Sequence, residues 1–159
     1  MIIVVSERFE VAGLGGTFDH LHEGHRLLLT TALKVADRVI IGLATDVLLQ
    51  NKGYSEFLES YEDRMQGIID FVATFTDPGR VSFVPLEDPF GPAITSEEME
   101  ALVMSAETLP NAEKINEIRE ERALPAVILV VIPILKSADG AKLSSTAVRA
   151  RIAEQQEES

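Results

Sequence analysis

The chain of 159 residues contains no cysteine, which excludes disulfides, thiolate chemistry and cysteine-based zinc sites. It also lacks a long apolar run. The longest, residues 125–135, falls short of the roughly 20 residues needed to span a bilayer. Residues 1–5 are apolar but have no basic flank and no cleavage pattern, so no signal peptide is read there. Positive charge is scarce: 14 Lys and Arg stand against 26 Asp and Glu, a net charge of -12, and Lys34, Lys52, Lys114, Lys136 and Lys142 are the whole lysine complement. An acidic surface of this kind disfavours nucleic acid and anionic membranes as partners. Together these absences favour the cytoplasm.

What remains is an ordinary folded composition, 46% hydrophobic and 25% charged. The length suggests one domain over residues 1–153, with a polar tail at 154–159 and no internal linker. Apolar runs at 9–14, 38–43, 81–86, 101–104 and 127–132 read as strands. Several are continuous rather than alternating, as expected when both faces of a parallel sheet are covered. Helical periodicity lies between them. Leu29, Ala32, Leu33 and Ala36 share one face, and so do Leu58, Tyr61, Met65, Ile68, Ile69, Val72 and Phe75. Residues 107–122 and 145–154 read as two further helices, and 85–92 as a proline-rich loop. The expected fold is therefore α/β and Rossmann-like, with about five parallel strands and helices on both faces. Ligands of such a sheet bind beyond the carboxyl ends of the strands, at the switch point.

All 3 histidines fall in one short run, Gly15-Gly16-Thr17-Phe18-Asp19-His20-Leu21-His22-Glu23-Gly24-His25, at the end of the first strand. Glycines there permit a tight turn and close approach to a ligand, and a helix N-terminus adds N–H groups and partial positive charge. His22 and His25, spaced i, i+3, share a helical face that continues into Leu29, while Gly24 leaves room for a phosphate. Two plainer readings stand beside this one: a His-x-His-x-x-His metal site, and an incidental helix cap. His20 is the least constrained of the three and reads as exposed. Ser144, Ser145 and Thr146 open the last helix, with Arg149 on the face of Thr146. Alone they would be a routine N-cap cluster.

The pattern Gly-Thr-Phe-Asp followed by His-x-Gly-His resembles the signature of the nucleotidylyltransferase superfamily. Leu143-Ser144-Ser145-Thr146-Ala147-Val148-Arg149 resembles its second signature, with leucine in place of isoleucine. Asp88-Pro89-Phe90-Gly91-Pro92, the Ser105-Ala106-Glu107-Thr108 segment and Asn116-Glu117-Ile118-Arg119 look like the archaeal-type phosphopantetheine adenylyltransferases. That resemblance implies transfer of AMP from ATP to 4'-phosphopantetheine, giving dephospho-CoA and pyrophosphate. It implies catalytic roles for His22, His25 and Lys52. Nucleotide contacts would come from Gly16, Thr17, Phe18, His25, Arg119, Ser144, Ser145, Thr146 and Arg149. Thr17 and Lys52 would meet the acceptor. The partners implied are ATP, 4'-phosphopantetheine and dephospho-CoA or CoA. Mg²⁺ would come with ATP, held mainly by its phosphates, with no metal site on the protein.

Lys52 also fits a solvated loop lysine, and Arg119 a surface position on an acidic helix. Arg64 reads as an exposed partner of Glu62 or Asp63, or else as facing the site, the first being favoured. Base-selecting contacts are expected before Ser144, including residues 132–134. The end motifs handle the nucleotide and leave the acceptor open, so FMN, nicotinamide mononucleotide or a polyol phosphate remains an alternative. A non-catalytic nucleotide sensor is the alternative outside enzymes. Nothing in the sequence fixes the oligomeric state, and a monomer is favoured.

Overall fold

The computed structural model describes residues 8–46 and 58–133. Its elements alternate: strand β1 (Phe9–Gly16), helix α1 (Glu23–Val35), strand β2 (Ala36–Ala44), helix α2 (Tyr61–Ala73), strand β3 (Val81–Leu86), strand β4 (Ala101–Ser105), helix α3 (Leu109–Glu121) and strand β5 (Ile128–Ile132). All pairings are parallel, in the order β3-β2-β1-β4-β5. This is the expected α/β sheet, with each apolar run forming a strand.

The core has two parts, one on each face. Strand alternation divides it. Ala101 and Val103 of β4 pack with β1, β2, α1 and α2, while Leu102 and Met104 pack with Ala112 and Ile115 of α3. The expected helix at 107–122 starts with a short 3-10 turn, Ala106–Thr108, and the α-helix begins where Pro110 fits its first turn. The expected last helix and the polar tail lie outside the described residues.

The sheet order puts the switch point between β1 and β4. There the ladder is short. β1 pairs with β2 along nearly its whole length, but with β4 only at Ala12↔Ala101 and Gly13↔Leu102. Beyond Gly13 the two strands part, and the carboxyl end of β1 stands beside an opening.

Candidate active site at the carboxyl end of the first strand

After Gly16 the chain turns sharply. Phe18 and His20 both have left-handed backbone, φ 52° and 46°, which is uncommon for such residues and is held by the surroundings. The Phe18 side chain is buried in the core. Asp19 is fully buried, and its Oδ1 accepts from the Glu59 N–H at 2.8 Å. Glu59 returns the bond: its Oε1 accepts from the His20 N–H at 2.6 Å. His20 Nε2 lies 3.7 Å from Asp19 Oδ2. His20 is therefore half-buried inside a reciprocal clasp, rather than exposed as its sequence position suggested. Asp19, His20 and Glu59 bring potential metal-ligand atoms within 4.8 Å of one another. One carboxylate oxygen of each acid is already engaged by a backbone N–H.

His22 is the N-cap of α1, with extended backbone (φ -122°, ψ 179°), so it precedes the helix instead of riding on its face. Its Nδ1 accepts from the Gly24 N–H at 3.0 Å, and its own N–H donates to His25 Nδ1 at 3.2 Å. This is a capping box in which two imidazoles replace the usual hydroxyl and carboxylate. The rings stack with centroids 3.7 Å apart, and Phe18 lies 5.2 Å from His25. Gly24 serves this stack. A Cβ there would come within 2.9 Å of His22 Cε1, so the glycine makes room for the imidazole where the sequence reading made room for a phosphate.

Burial, then the neighbouring Arg26, lowers the pKa of His22. Burial, then His22 and Arg26, pulls His25 down to about 3. Both rings are thus neutral near pH 7. In each, Nδ1 accepts a hydrogen bond, so the proton sits on Nε2 and that atom is a donor. The cap and the phosphate readings of this motif are compatible: capping fixes the tautomer.

Arg64 contradicts its sequence reading as an exposed helix partner. Only 1% exposed, it donates from Nη1 to the carbonyls of Thr17 (2.9 Å) and Ala44 (2.8 Å) and from Nε to Glu59 O (3.1 Å). Its position at i, i+4, i+8 with the buried Ile68 and Val72 was the available signal. Arg119 is also buried, which overturns the surface alternative. Its guanidinium donates to the carbonyls of Pro125, Ala93 and Ser96. That pins the 3-10 turn Gly91–Ile94 against α3. Asp88 starts this segment, accepting from the N–H groups of Phe90 and Gly91, both at 2.8 Å, which lowers its pKa.

A cavity of about 580 Å³ opens where β1 and β4 part. Gly16 and Thr17 line it from β1 and its loop, Leu86 and Phe90 from β3 and the segment after it, and Met104 and Asn111 from β4 and α3. His22 and His25 stand at α1 beyond this lining, joined to it through residues 16–18. Of the predicted site residues, Gly16 and Thr17 line the cavity, and Phe18, His22 and His25 form a ring cluster outside the lining. Arg119 lies behind the turn that carries Pro92 and Ala93 of the lining. Lys52, Ser144, Ser145, Thr146 and Arg149 lie outside the described residues, as do 134 and the rest of the loop before Ser144.

A Cytidylyltransferase-like family model matches residues 14–151. A phosphopantetheine adenylyltransferase of Methanopyrus kandleri is 42% identical, covering 92% of this chain and 93% of its own. A protein of the same name from Pyrococcus abyssi is 38% identical, with 90% of each chain covered. One from Saccharomyces cerevisiae is 39% identical over 91% of this chain and 49% of its own. Among solved structures, a protein of unknown function from Archaeoglobus fulgidus superposes with a TM-score of 0.66 at 30% identity, over 78% of this chain and 89% of that one.

Proposed function

The chain belongs to the Cytidylyltransferase-like family, and from that premise we infer that it transfers AMP from ATP to 4'-phosphopantetheine, releasing pyrophosphate and forming dephospho-CoA. The 42% identity shared with a phosphopantetheine adenylyltransferase over nearly both full lengths carries the choice of acceptor. Cytoplasmic location belongs to this reading. Among the described residues no helix is long and apolar enough to cross a membrane.

The chemistry needs little beyond positioning and charge stabilisation. The nucleophile is an anionic phosphate oxygen of the acceptor, so no general base is required. It attacks the α-phosphorus of ATP in line, the bond to the bridging oxygen breaks, and pyrophosphate departs with the electron pair. Charge grows on the α-phosphoryl oxygens and the leaving group. The Nε2–H groups of His22 and His25, the first turn of α1 and the backbone at Gly16–Phe18 are donors of the required kind. With Nδ1 of each neutral ring accepting a backbone N–H, Nε2–H is the donor each imidazole can offer. A preorganised donor of this sort contributes about 3 kcal/mol, or about a hundredfold in rate. Thr17 and Lys52 are assigned to the acceptor phosphate. Ser144, Ser145, Thr146 and Arg149 are assigned to the β- and γ-phosphates.

The N–H and hydroxyl groups of Gly16–Phe18, His22 and His25 complement phosphate oxygens, while Asp19 and Glu59 each already accept a backbone N–H. Magnesium would be held mainly by the phosphates of ATP and would supply charge neutralisation there.

The test is an acceptor panel. Purified protein is given ATP and Mg²⁺ with phosphopantetheine, FMN or nicotinamide mononucleotide, and pyrophosphate is followed. Release should depend on phosphopantetheine. Turnover with FMN or the mononucleotide, and none with phosphopantetheine, would overturn the reading.

A further inference from the structure

Burying a cation costs several kcal/mol unless its surroundings compensate it, and apolar replacements of similar volume are often no worse for stability. Arg64 is 1% exposed, in a helix whose other buried positions are Ile68 and Val72. The acidic groups of Asp19, Asp46 and Glu59 offset part of the cost of its burial, and an arginine rather than an apolar side chain at this position still calls for a reason besides packing. Its position supplies one. A single nitrogen, Nη1, holds the carbonyls at the carboxyl ends of two adjacent strands, Thr17 after β1 and Ala44 of β2. Nε holds Glu59 O, and Glu59 in turn clasps Asp19 and the His20 N–H. Nη2 is buried with no hydrogen-bond partner among the described residues. The guanidinium is thus fixed at several points on the turn that precedes His22.

Two consequences follow from elementary geometry. In a trans peptide the carbonyl and the following N–H point in opposite directions. Ala44 shows this directly: its carbonyl faces Arg64, and the next N–H, of Thr45, points away to Leu86 O at 3.0 Å. With the Thr17 carbonyl drawn to Arg64, the Phe18 N–H is turned the opposite way, away from the guanidinium. The second consequence is electrostatic. Carbonyl oxygens at the ends of parallel strands present partial negative charge to anything bound beyond them, and Arg64 engages two of these from behind.

We propose that Arg64 is a positioning residue for nucleotidyl transfer: it holds the Thr17 and Ala44 carbonyls back, so that the Phe18 N–H is offered to the triphosphate and two partial negative charges are withdrawn from its path. The proposal rests on the functional reading above. It extends that reading to a side chain that touches neither substrate.

The test compares Arg64→Lys and Arg64→Met with wild type, each checked by circular dichroism. Lysine keeps the charge but not the two-carbonyl fork, and methionine removes both. In folded protein, kcat should fall by about tenfold or more in Arg64→Met and by an intermediate factor in Arg64→Lys, the KM for phosphopantetheine moving by less than about twofold. Added guanidinium should restore part of the Arg64→Met rate. A purely structural arginine would instead lower the yield of folded protein and leave its kcat intact, which overturns the proposal. A second arm uses wild-type protein with ¹⁵N-labelled arginine. The Arg64 Nε–H signal should shift when ATP saturates the protein in the absence of acceptor. No shift at saturation overturns the proposal even if neither variant folds. Because that arm needs no turnover, it judges Arg64 even when phosphopantetheine proves not to be the acceptor.

Discussion

The ring of His25 stacks on His22 at 3.7 Å and accepts the His22 N–H on Nδ1. Burial, a second imidazole and Arg26 all oppose its protonation, and its pKa falls from 6.5 to about 3. The unfolded chain takes up that proton near pH 6.5 and the folded protein only near pH 3. Between these values the unfolded state binds more protons, so stability falls as the pH drops from about 7.5 toward 3 and is unaffected above that window. At about 1.36 kcal/mol per pH unit, the loss at pH 5 is about 2 kcal/mol. Urea unfolding at pH 7.5 and pH 5 checks this against His25→Gln, which cannot take the proton. The variant should lose about 2 kcal/mol less than wild type across that interval, and equal losses would refute the assignment. The same residue carries the activity test. His25→Ala should keep its circular dichroism spectrum and lose about a hundredfold or more in kcat, and a near-wild-type rate would remove the histidine from the mechanism.

At the level of elements, the join between α1 and β2 is unusual because no residue separates them. The last carbonyls of α1 must find donors elsewhere. Arg80 Nη2 donates to Leu33 O at 2.7 Å and Ala36 O at 2.8 Å, and Arg8 Nη2 donates to the same two oxygens at 2.7 and 2.9 Å. The two arginines complement the negative end of the helix from opposite sequence directions. Because they share acceptors, each single alanine variant should lose only about 1 kcal/mol, while the double variant should lose more than the sum. Additive losses in urea unfolding would show that the two act separately. None of this was legible in the sequence, where neither arginine lies near the helix end it serves. What was legible depended on local chemistry. The strands stood out as apolar runs, but β1 runs on through two glycines that carry no strand signal. The helix expected to take in Leu58 begins instead at Tyr61, because Ser60 Oγ caps it by accepting the Asp63 N–H at 3.1 Å. The histidine motif could be read because its residues are contiguous. The Asp19–Glu59 clasp and the Arg64 fork join positions about 40 and 47 apart, and no local pattern announces such pairs.

For the whole molecule, the net charge of -12 acts on everything else. Pairing relieves little of it. Among the described residues the acid–base contacts are Arg8–Asp37, Arg26–Glu23, Arg38–Glu98 and His20–Asp19. The first three are exposed pairs of a kind worth about 0–1 kcal/mol. Two arginines are withdrawn from the surface altogether, Arg64 and Arg119 being buried on backbone carbonyls. Among the described residues only one acid, Asp19, is buried, as against these two arginines, so burial does not relieve the acidic balance, and the folded state carries that repulsion at close quarters while the expanded chain spreads it out. Salt should stabilise the protein through screening. The Debye length shrinks from about 30 Å at 0.01 M to about 10 Å at 0.1 M and 3 Å at 1 M. Most of the gain should therefore come below about 0.2 M, as a rise in Tm of a few degrees. Specific exclusion of salt from the surface would instead raise Tm without saturation up to molar concentrations. Thermal unfolding at pH 7.5 across a NaCl series separates the two, and a flat profile would show that the acidic surface does not destabilise the fold.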